Sequence, residues 1–259
     1  MNRGDQQSNQ THWEHYWENK KEVGEIYSNG DRLVVQILRS TQVKNKRILE
    51  VGAGTGRDGF RLADAGARVF FLDYADRSLA FIKKQIQDNG KSAYLIRADA
   101  RALPFRSTCF DVVFHQGLLE HFRNPEVLLR ENHRVLQKDG ICLVDVPQKY
   151  HIYTVIKHVL MILHAWFAGW ETEFSVRRLR QLVQDAGFRI DVFYGDWMRP
   201  GLIYRIVREL LLRIGIRLPM YPKGFKISQL IRTKIRILLS RYPLFLNTYL
   251  DIGVVAKKS

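Results

Sequence analysis

Cysteine is scarce in this 259-residue chain: Cys109 and Cys142 stand far apart, at no metal or redox spacing. That usage suits a reducing compartment, and a cytoplasmic location is expected. His, Cys, Asp and Glu nowhere gather at ligand spacing, so no metal is expected. No run reaches the ~18 uncharged apolar residues of a spanning helix. Residues 1–10 are polar and lack the apolar stretch of a signal peptide, so they read as a loose disordered tail. Internal repeats and low-complexity segments are absent too. The most uneven shortage is of acid. Residues 199–246 hold eleven Lys or Arg against Glu209 alone, so +10 of the net +15 lies in under a fifth of the chain. Such an excess points to an anionic partner, either a membrane surface or the phosphates of nucleic acid.

What is present is organised around residues 46–59, K-R-I-L-E-V-G-A-G-T-G-R-D-G. Arg47–Val51 is a short apolar run that predicts a buried parallel strand. Gly52, Gly54 and Gly56 follow at alternate positions, and a helix is expected from Arg57 to Ala65, stopped by Gly66. Strand, glycine turn and helix bring bare backbone close to a nucleotide, because glycine tolerates positive φ and has no Cβ. A pyrophosphate fingerprint beginning at Gly52 would need glycine where Arg57 stands, and the register Gly54-Gly56-Gly59 begins two residues late. A turn of the form E-x-G-x-G-x-G, with Glu50 at the strand end, instead suits a cofactor with an amino acid group and no pyrophosphate, S-adenosylmethionine.

The remaining chain alternates strand and helix. Trp13, Tyr16 and Trp17 at helical spacing predict a helix over 11–27 that packs an aromatic face on the domain. Leu33, Val34, Ile37 and Leu38 mark a second helix. Strands are expected at 68–72, 93–98, 110–114, 141–146, 189–194 and 248–256. Helices are expected around the Leu79, Ile82, Ile86 stripe, from a cap at Asn124 to Gln137, and over 175–186. Asp76 or Ser78 would cap the first of these. His133 reads as a surface residue. The alternation implies an α/β, parallel doubly wound sheet.

Several blocks in this order carry a family resemblance: L-E-V-G-A-G-T-G, F-L-D-Y, A-D-A-R-A-L-P-F, F-D-V-V-F-H-Q-G-L-L-E-H-F and H-R-V-L-Q-K-D-G. The chain resembles class I S-adenosylmethionine-dependent methyltransferases of the small-molecule type over residues 13–194 and 248–257. The resemblance implies a Rossmann-like seven-stranded sheet with an antiparallel last strand. It implies that Gly52, Ala53, Gly54 and Gly56 form the cofactor turn, with Glu50 holding the methionine ammonium. Asp73 would accept the ribose hydroxyls, Tyr74 would lie on the adenine, and Asp99 with Ala100 would meet the adenine edge. His115, Gln116 and Gly117 would border the methionine and the transferred methyl. His121 and His115 are the candidate bases, since imidazole titrates near neutrality; a structural role is the alternative for both.

Helical insertions after strands 5 and 6 set the chain apart. The expected organisation is a tail at 1–10, a core at 11–194 carrying an insertion at 150–173, a basic amphipathic helical insertion at 195–247, and the final strand and tail at 248–259. Ile203, Ile206, Val207, Leu210, Leu211 and Ile214 keep helical spacing, with Arg205, Arg208 and Arg213 on much of the other side. A second helix is expected over 227–240. These features suggest a methyltransferase acting on a small amphipathic or lipid-like acceptor, as a peripheral protein on an anionic membrane. The alternatives are an RNA methyltransferase gripping phosphates through the basic insertion, or an enzyme of a soluble metabolite or sugar. The Asn/Asp-Pro-Pro-aromatic tetrad of base amino methylation and a Pro-Cys nucleophile are absent from the sequence. A cofactor-binding scaffold without turnover has no need of intact Glu50, Asp73 and Asp99.

Overall fold

The computed structural model describes residues 10–18, 31–162, 171–222, 230–231, 234–235, 238–239 and 242–259. The strands are β1 (Arg47–Val51), β2 (Arg68–Asp73), β3 (Tyr94–Arg97), β4 (Phe110–Gln116), β5 (Leu136–Pro147), β6 (Phe188–Asp196) and β7 (Asp251–Lys258). They form one seven-stranded sheet in the order β3-β2-β1-β4-β5-β7-β6. β1 to β5 run parallel, and β7 is antiparallel to both β5 and β6. The chain order reverses between β1 and β4, so a crevice opens beyond their carboxyl ends.

Alternation along the strands divides the core into two layers. Ile48, Val69, Phe71, Val112 and Phe114 point to one face. There they meet Leu33, Val34 and Ile37 of α2 (Arg32–Ser40), Phe60 and Leu62 of α3 (Arg57–Asp64), and Ile82 of α4 (Asp76–Asn89). Leu49, Val51, Phe70, Leu72 and Val113 point to the other. That face takes Leu128 and Leu129 of α5 (Pro125–Val135) and Leu179, Leu182 and Val183 of α7 (Val176–Asp185). Of the four apolar positions expected to seat α2, Leu38 is exposed instead.

Most boundaries fall within a few residues of expectation. β5 begins five residues early, because Leu136 pairs with Phe110 before the register shifts and Ile141 pairs with Val112. Asn124 makes no side-chain cap on α5, where Pro125 at the first helical position sets the start. Ser175 does cap α7, accepting from the Arg178 N–H at 3.2 Å. The expected cap of α4 fails, since Ala75 occupies that place without a side-chain bond. Glu14 of α1 (Gln10–Glu18) supplies it from a distance, accepting from the Asp76 and Arg77 N–H groups at 2.6 and 3.1 Å. His133 is half-buried, edge-on to Phe188 with ring centroids 5.0 Å apart. The first insertion contains α6 (Ile152–Ile162) and the second α8 (Leu202–Arg213). Most of the helix expected over 227–240, residues 163–170 of the first insertion and the later part of the 11–27 helix lie outside the described residues.

The antiparallel edge is packed through glycine. At Gly253 of β7 a Cβ would overlap the Tyr194 ring of β6, and at Gly195 it would overlap Tyr249. Gly253→Ala should therefore destabilise the protein by about 1–3 kcal/mol through overpacking. Denaturant unfolding monitored by tryptophan fluorescence checks this; an unchanged midpoint would mean the Tyr194 ring moves aside without cost.

Candidate active site

The sheet's carboxyl edge collects the residues singled out by sequence, in geometries that redistribute their tasks. Gly52, Gly54 and Gly56 all take positive φ, 66°, 53° and 67°, so the turn requires glycine. Its backbone is held from below. The Gly52 and Ala53 N–H groups both donate to the Leu72 carbonyl at 2.8 and 3.0 Å, and Gly56 N–H donates to the Ala53 carbonyl at 2.8 Å. Asp73 accepts from the Gly54 N–H and the Ala75 N–H at 2.9 Å each, and from the Ser78 hydroxyl at 2.9 Å. This carboxylate thus fastens the glycine turn to the end of β2. Burial raises its pKa, against the Ala75, Gly54 and Ser78 donors that favour the charge. Tyr74 beside it is exposed and Ala100 is buried. Asp99 is gripped by Arg101, whose Nη2 lies 2.6 Å from Oδ2 and whose Nε lies 3.0 Å from Oδ1, and these bonds hold its pKa low.

Glu50 is buried at the end of β1, and its Oε2 accepts from the Gly59 N–H at 3.0 Å. A Cβ at residue 59 would overlap both the Phe71 ring and Glu50 Oε2, so the fourth glycine lets α3 approach the strand. Burial pushes the Glu50 pKa well above the carboxylate range, and neighbouring Asp58 and Asp73 push it further; the Gly59 N–H and Arg57 oppose them. Asp58 is buried too and is bridged by Arg57 at 2.9 and 3.0 Å. An acid-rich cradle therefore surrounds the turn.

Gln116, expected at the cofactor's edge, also links two buried groups. With its amide nitrogen toward Asp58 Oδ2 (3.1 Å), its oxygen faces Arg32 Nη2 (3.2 Å). Arg32 is buried, with Nε 2.9 Å from Asp145 Oδ2 and Nη2 3.3 Å from Asp251 Oδ2. Sequence reasoning passed over Asp58, Arg32 and Asp145. The signal was available at Asp145, a lone carboxylate in the apolar run of β5. His115 is fully buried among apolar side chains, and burial lowers its pKa to about 3. Neither ring nitrogen has a hydrogen-bond partner among the described residues, and His115 is not carried forward as a base. His121 lies in a 3-10 turn, Leu119–His121, edge-on to Trp13 of α1 with centroids 4.8 Å apart. Trp17 covers Gly54, where a Cβ would meet its ring at 3.2 Å. The aromatic face of α1 thus packs on the site itself.

Residues 49–144 match the methyltransferase domain family. Among curated proteins, the chain is 26% identical over 194 residues to a probable S-adenosylmethionine-dependent methyltransferase of Mycolicibacterium smegmatis, covering 73% of this chain and 65% of that protein. It is 35% identical over 101 residues to demethylmenaquinone methyltransferase of Thermus thermophilus, covering 38% and 46% of the two. It is 28% identical over 167 residues to phosphatidylethanolamine N-methyltransferase of Cereibacter sphaeroides, covering 62% and 78%. The chain thus spans less than two thirds of the first two. Magnesium protoporphyrin IX methyltransferase from Synechocystis PCC 6803, with bound S-adenosylhomocysteine, superposes with TM-score 0.60 at 14% identity, over 96% of this chain and 93% of that one. The [4+2]-cyclase SpnF superposes with TM-score 0.61 at 21% identity, over 88% and 80%. Fold, motif order and the match over residues 49–144 make this core similar to class I S-adenosylmethionine-dependent methyltransferase domains.

The site fits that cofactor on its own chemistry. S-adenosylmethionine carries two positive groups, a sulfonium and an ammonium, and the acid-rich cradle of Glu50, Asp58 and Asp73 is short of cations. Glu50 would hold the ammonium, and Asp73 would present the turn. A cation beside Glu50 stabilises its ionised form, so binding should release a proton and tighten as pH rises through the elevated Glu50 range. Calorimetry with S-adenosylhomocysteine between roughly pH 5 and 8, in buffers of different ionisation heat, should show this release. Glu50→Gln should remove the pH dependence. Affinity in the parent that stays flat or falls with pH would mean that the ammonium is held elsewhere.

Proposed function

We propose that this protein transfers the methyl group of S-adenosylmethionine to a small amphipathic, lipid-like acceptor that it meets at an anionic membrane surface. The sulfonium supplies the electrophile, so the chain's own task is to align the acceptor and keep water away. Gly52 to Gly56 and Glu50 would bind the donor. The 3-10 turn, α1 and the two insertions would enclose the acceptor.

One observation carries the acceptor class: α8 is amphipathic the wrong way round for a soluble surface helix. Ile203, Ile206, Val207, Leu210 and Ile214 are exposed, Ile203 by 80%. Arg205 and Arg208, which sequence pattern assigned to an outward face, are half-buried and turned onto backbone. Arg205 donates to the Arg199 and Pro200 carbonyls at 2.9 and 3.1 Å, and Arg208 to the Leu218 carbonyl at 3.2 Å. α6 repeats the arrangement with Ile152, Val155, Val159 and Ile162, all exposed. Exposed apolar stripes, one of them within the +10 segment, suit an interfacial position, apolar side in the acyl boundary and cations near the headgroups. No helix among the described residues is long and apolar enough to cross a membrane. Two relatives, a demethylmenaquinone and a phosphatidylethanolamine methyltransferase, are named for lipid acceptors.

Co-sedimentation with phosphatidylglycerol-containing vesicles tests the membrane half. The parent should pellet at low salt. Changing Ile203 and Leu210 together to Asp should cut the bound fraction by about tenfold, since each loses apolar contact and gains a buried charge. Affinity for S-adenosylhomocysteine should stay unchanged in that variant. A parent that remains in the supernatant directs the search to soluble metabolites, and nucleic acid co-purifying by ultraviolet absorbance would favour an RNA acceptor.

A further inference from the structure

The first insertion sets a buried ion cluster over the end of β4. Lys157 of α6 is buried, with its ammonium 2.9 Å from Glu171 Oε2 and 2.6 Å from Glu173 Oε1. His158 Nε2 lies 3.0 Å from the same Glu173 oxygen. The cluster is fastened to the 3-10 turn by the Thr172 N–H, which donates to the Glu120 carbonyl at 2.9 Å. Glu120 itself is 3% exposed, and its Oε2 has no hydrogen-bond partner among the described residues. Its Oε1 stands 3.6 Å from where a Cβ on Gly117 would lie, so the carboxylate turns toward the end of β4. The adjacent Leu118 side chain rests on Gly52 of the cofactor turn. A buried carboxylate oxygen with nothing to accept is costly, and it calls for a donor that arrives from outside.

The charges around it specify that donor. Among the described residues the buried Lys157 ammonium is held by Glu171 and Glu173, and it acts on Glu120 only electrostatically. Asp251 of β7 adds further repulsion, while Arg32 is engaged by Asp145 and Asp251. Burial raises the Glu120 pKa well above the usual range, Glu171 raises it further, and Lys157 only partly opposes them. A hydroxyl or carboxylate arriving here would leave that negative excess standing. A cation would relieve it.

We propose that Glu120 receives a protonated amine of the acceptor beside Gly117 and takes its proton, so that the atom methylated is nitrogen. This rests on the methyltransferase reading above and names the attacking atom within it. The ammonium gives a proton to the Glu120 carboxylate, which its surroundings make a stronger base than a solvated glutamate. The freed nitrogen lone pair attacks the donor methyl carbon, and the carbon–sulfur bond breaks with its electron pair left on sulfur. The products are a methylated ammonium, the neutral thioether S-adenosylhomocysteine and protonated Glu120.

Calorimetry on the full chain saturated with S-adenosylhomocysteine tests the site, with octylamine, octanol and octanoate as matched probes. Octylammonium should bind about tenfold or more tighter than octanol, the scale of one charge-assisted hydrogen bond. Glu120→Gln should bring the two probes to near parity, and Glu120→Asp should keep most of the preference. A structural loss would weaken both probes together, so the ratio isolates the carboxylate. Equal binding of amine and alcohol by the parent overturns the proposal, as does a preference that survives in the Gln variant. If the Gln variant fails to fold, the parent ratio and the Asp variant decide. A parent that does not bind S-adenosylhomocysteine at all defeats the cofactor assignment first, an outcome recognisable before any amine is added.

Discussion

Bringing a helix start against a strand end is the constraint from which the active edge follows. α3 can approach β1 only because residue 59 has no side chain, and the space so gained is filled by Glu50 and Phe71. The Gly59 N–H then reaches the Glu50 carboxylate, which fixes an acid inside the core at the point where the sheet opens. Asp73 does the same on the next strand, converting a flexible run of glycines into a turn tied by the Gly54 and Ala75 amides and the Ser78 hydroxyl. Both carboxylates are strained electrostatically by burial, and this strain favours a cationic ligand. On the proposed function, affinity for a sulfonium and an ammonium would arise from the same contacts that close the core.

A second consequence is that the edge behaves as one polar chain. Arg57 bridges Asp58, Gln116 bridges Asp58 to Arg32, and Arg32 clamps Asp145 and Asp251. This row crosses α3, β4, α2, β5 and β7, so it spans from the cofactor turn to the antiparallel strand. Removing one partner would leave a buried charge uncompensated, which is far costlier than the pair is worth. At its far end Asp251 also acts electrostatically on Glu120, so the row and the Lys157 cluster adjoin through one carboxylate.

The order of strands, the glycine turn and nearly every core position were legible in the sequence, because period and glycine placement report local geometry directly. Leu33, Val34, Ile37, Ile48, Phe71 and Val113 are buried as their spacing requires. The failures share a different cause. Asn124 and Asp76 looked like caps, yet one cap is dispensable beside Pro125 and the other is supplied by Glu14, 62 residues away. The link from Gln116 to Asp58 and Arg32 was not foreseen, since those partners come from other elements. Long-range pairings of this kind leave no periodicity. Lys157 was visible only as an interruption of an apolar run, and that interruption is the buried ion cluster.

Sheet architecture alone leaves the chemistry open, as the superposition on a [4+2]-cyclase makes plain. What distinguishes this chain lies in the two insertions, and they act in opposite senses. Their outer faces carry Ile162, Ile203 and Ile214 into the surroundings, exposed by 76%, 80% and 70%. Their inner residues bury Lys157, Glu171 and Glu173 against Glu120. An apolar exterior combined with a charged interior is the reverse of an ordinary soluble helix pair, in which apolar groups turn inward. On the proposed function, this arrangement would suit an acceptor with an apolar body and a polar head, the body lying among the exposed isoleucines and the head entering the recess at Glu120. The inversion of α8, with arginines folded back onto carbonyls and aliphatic side chains outermost, thus belongs to the same design as the open oxygen on Glu120.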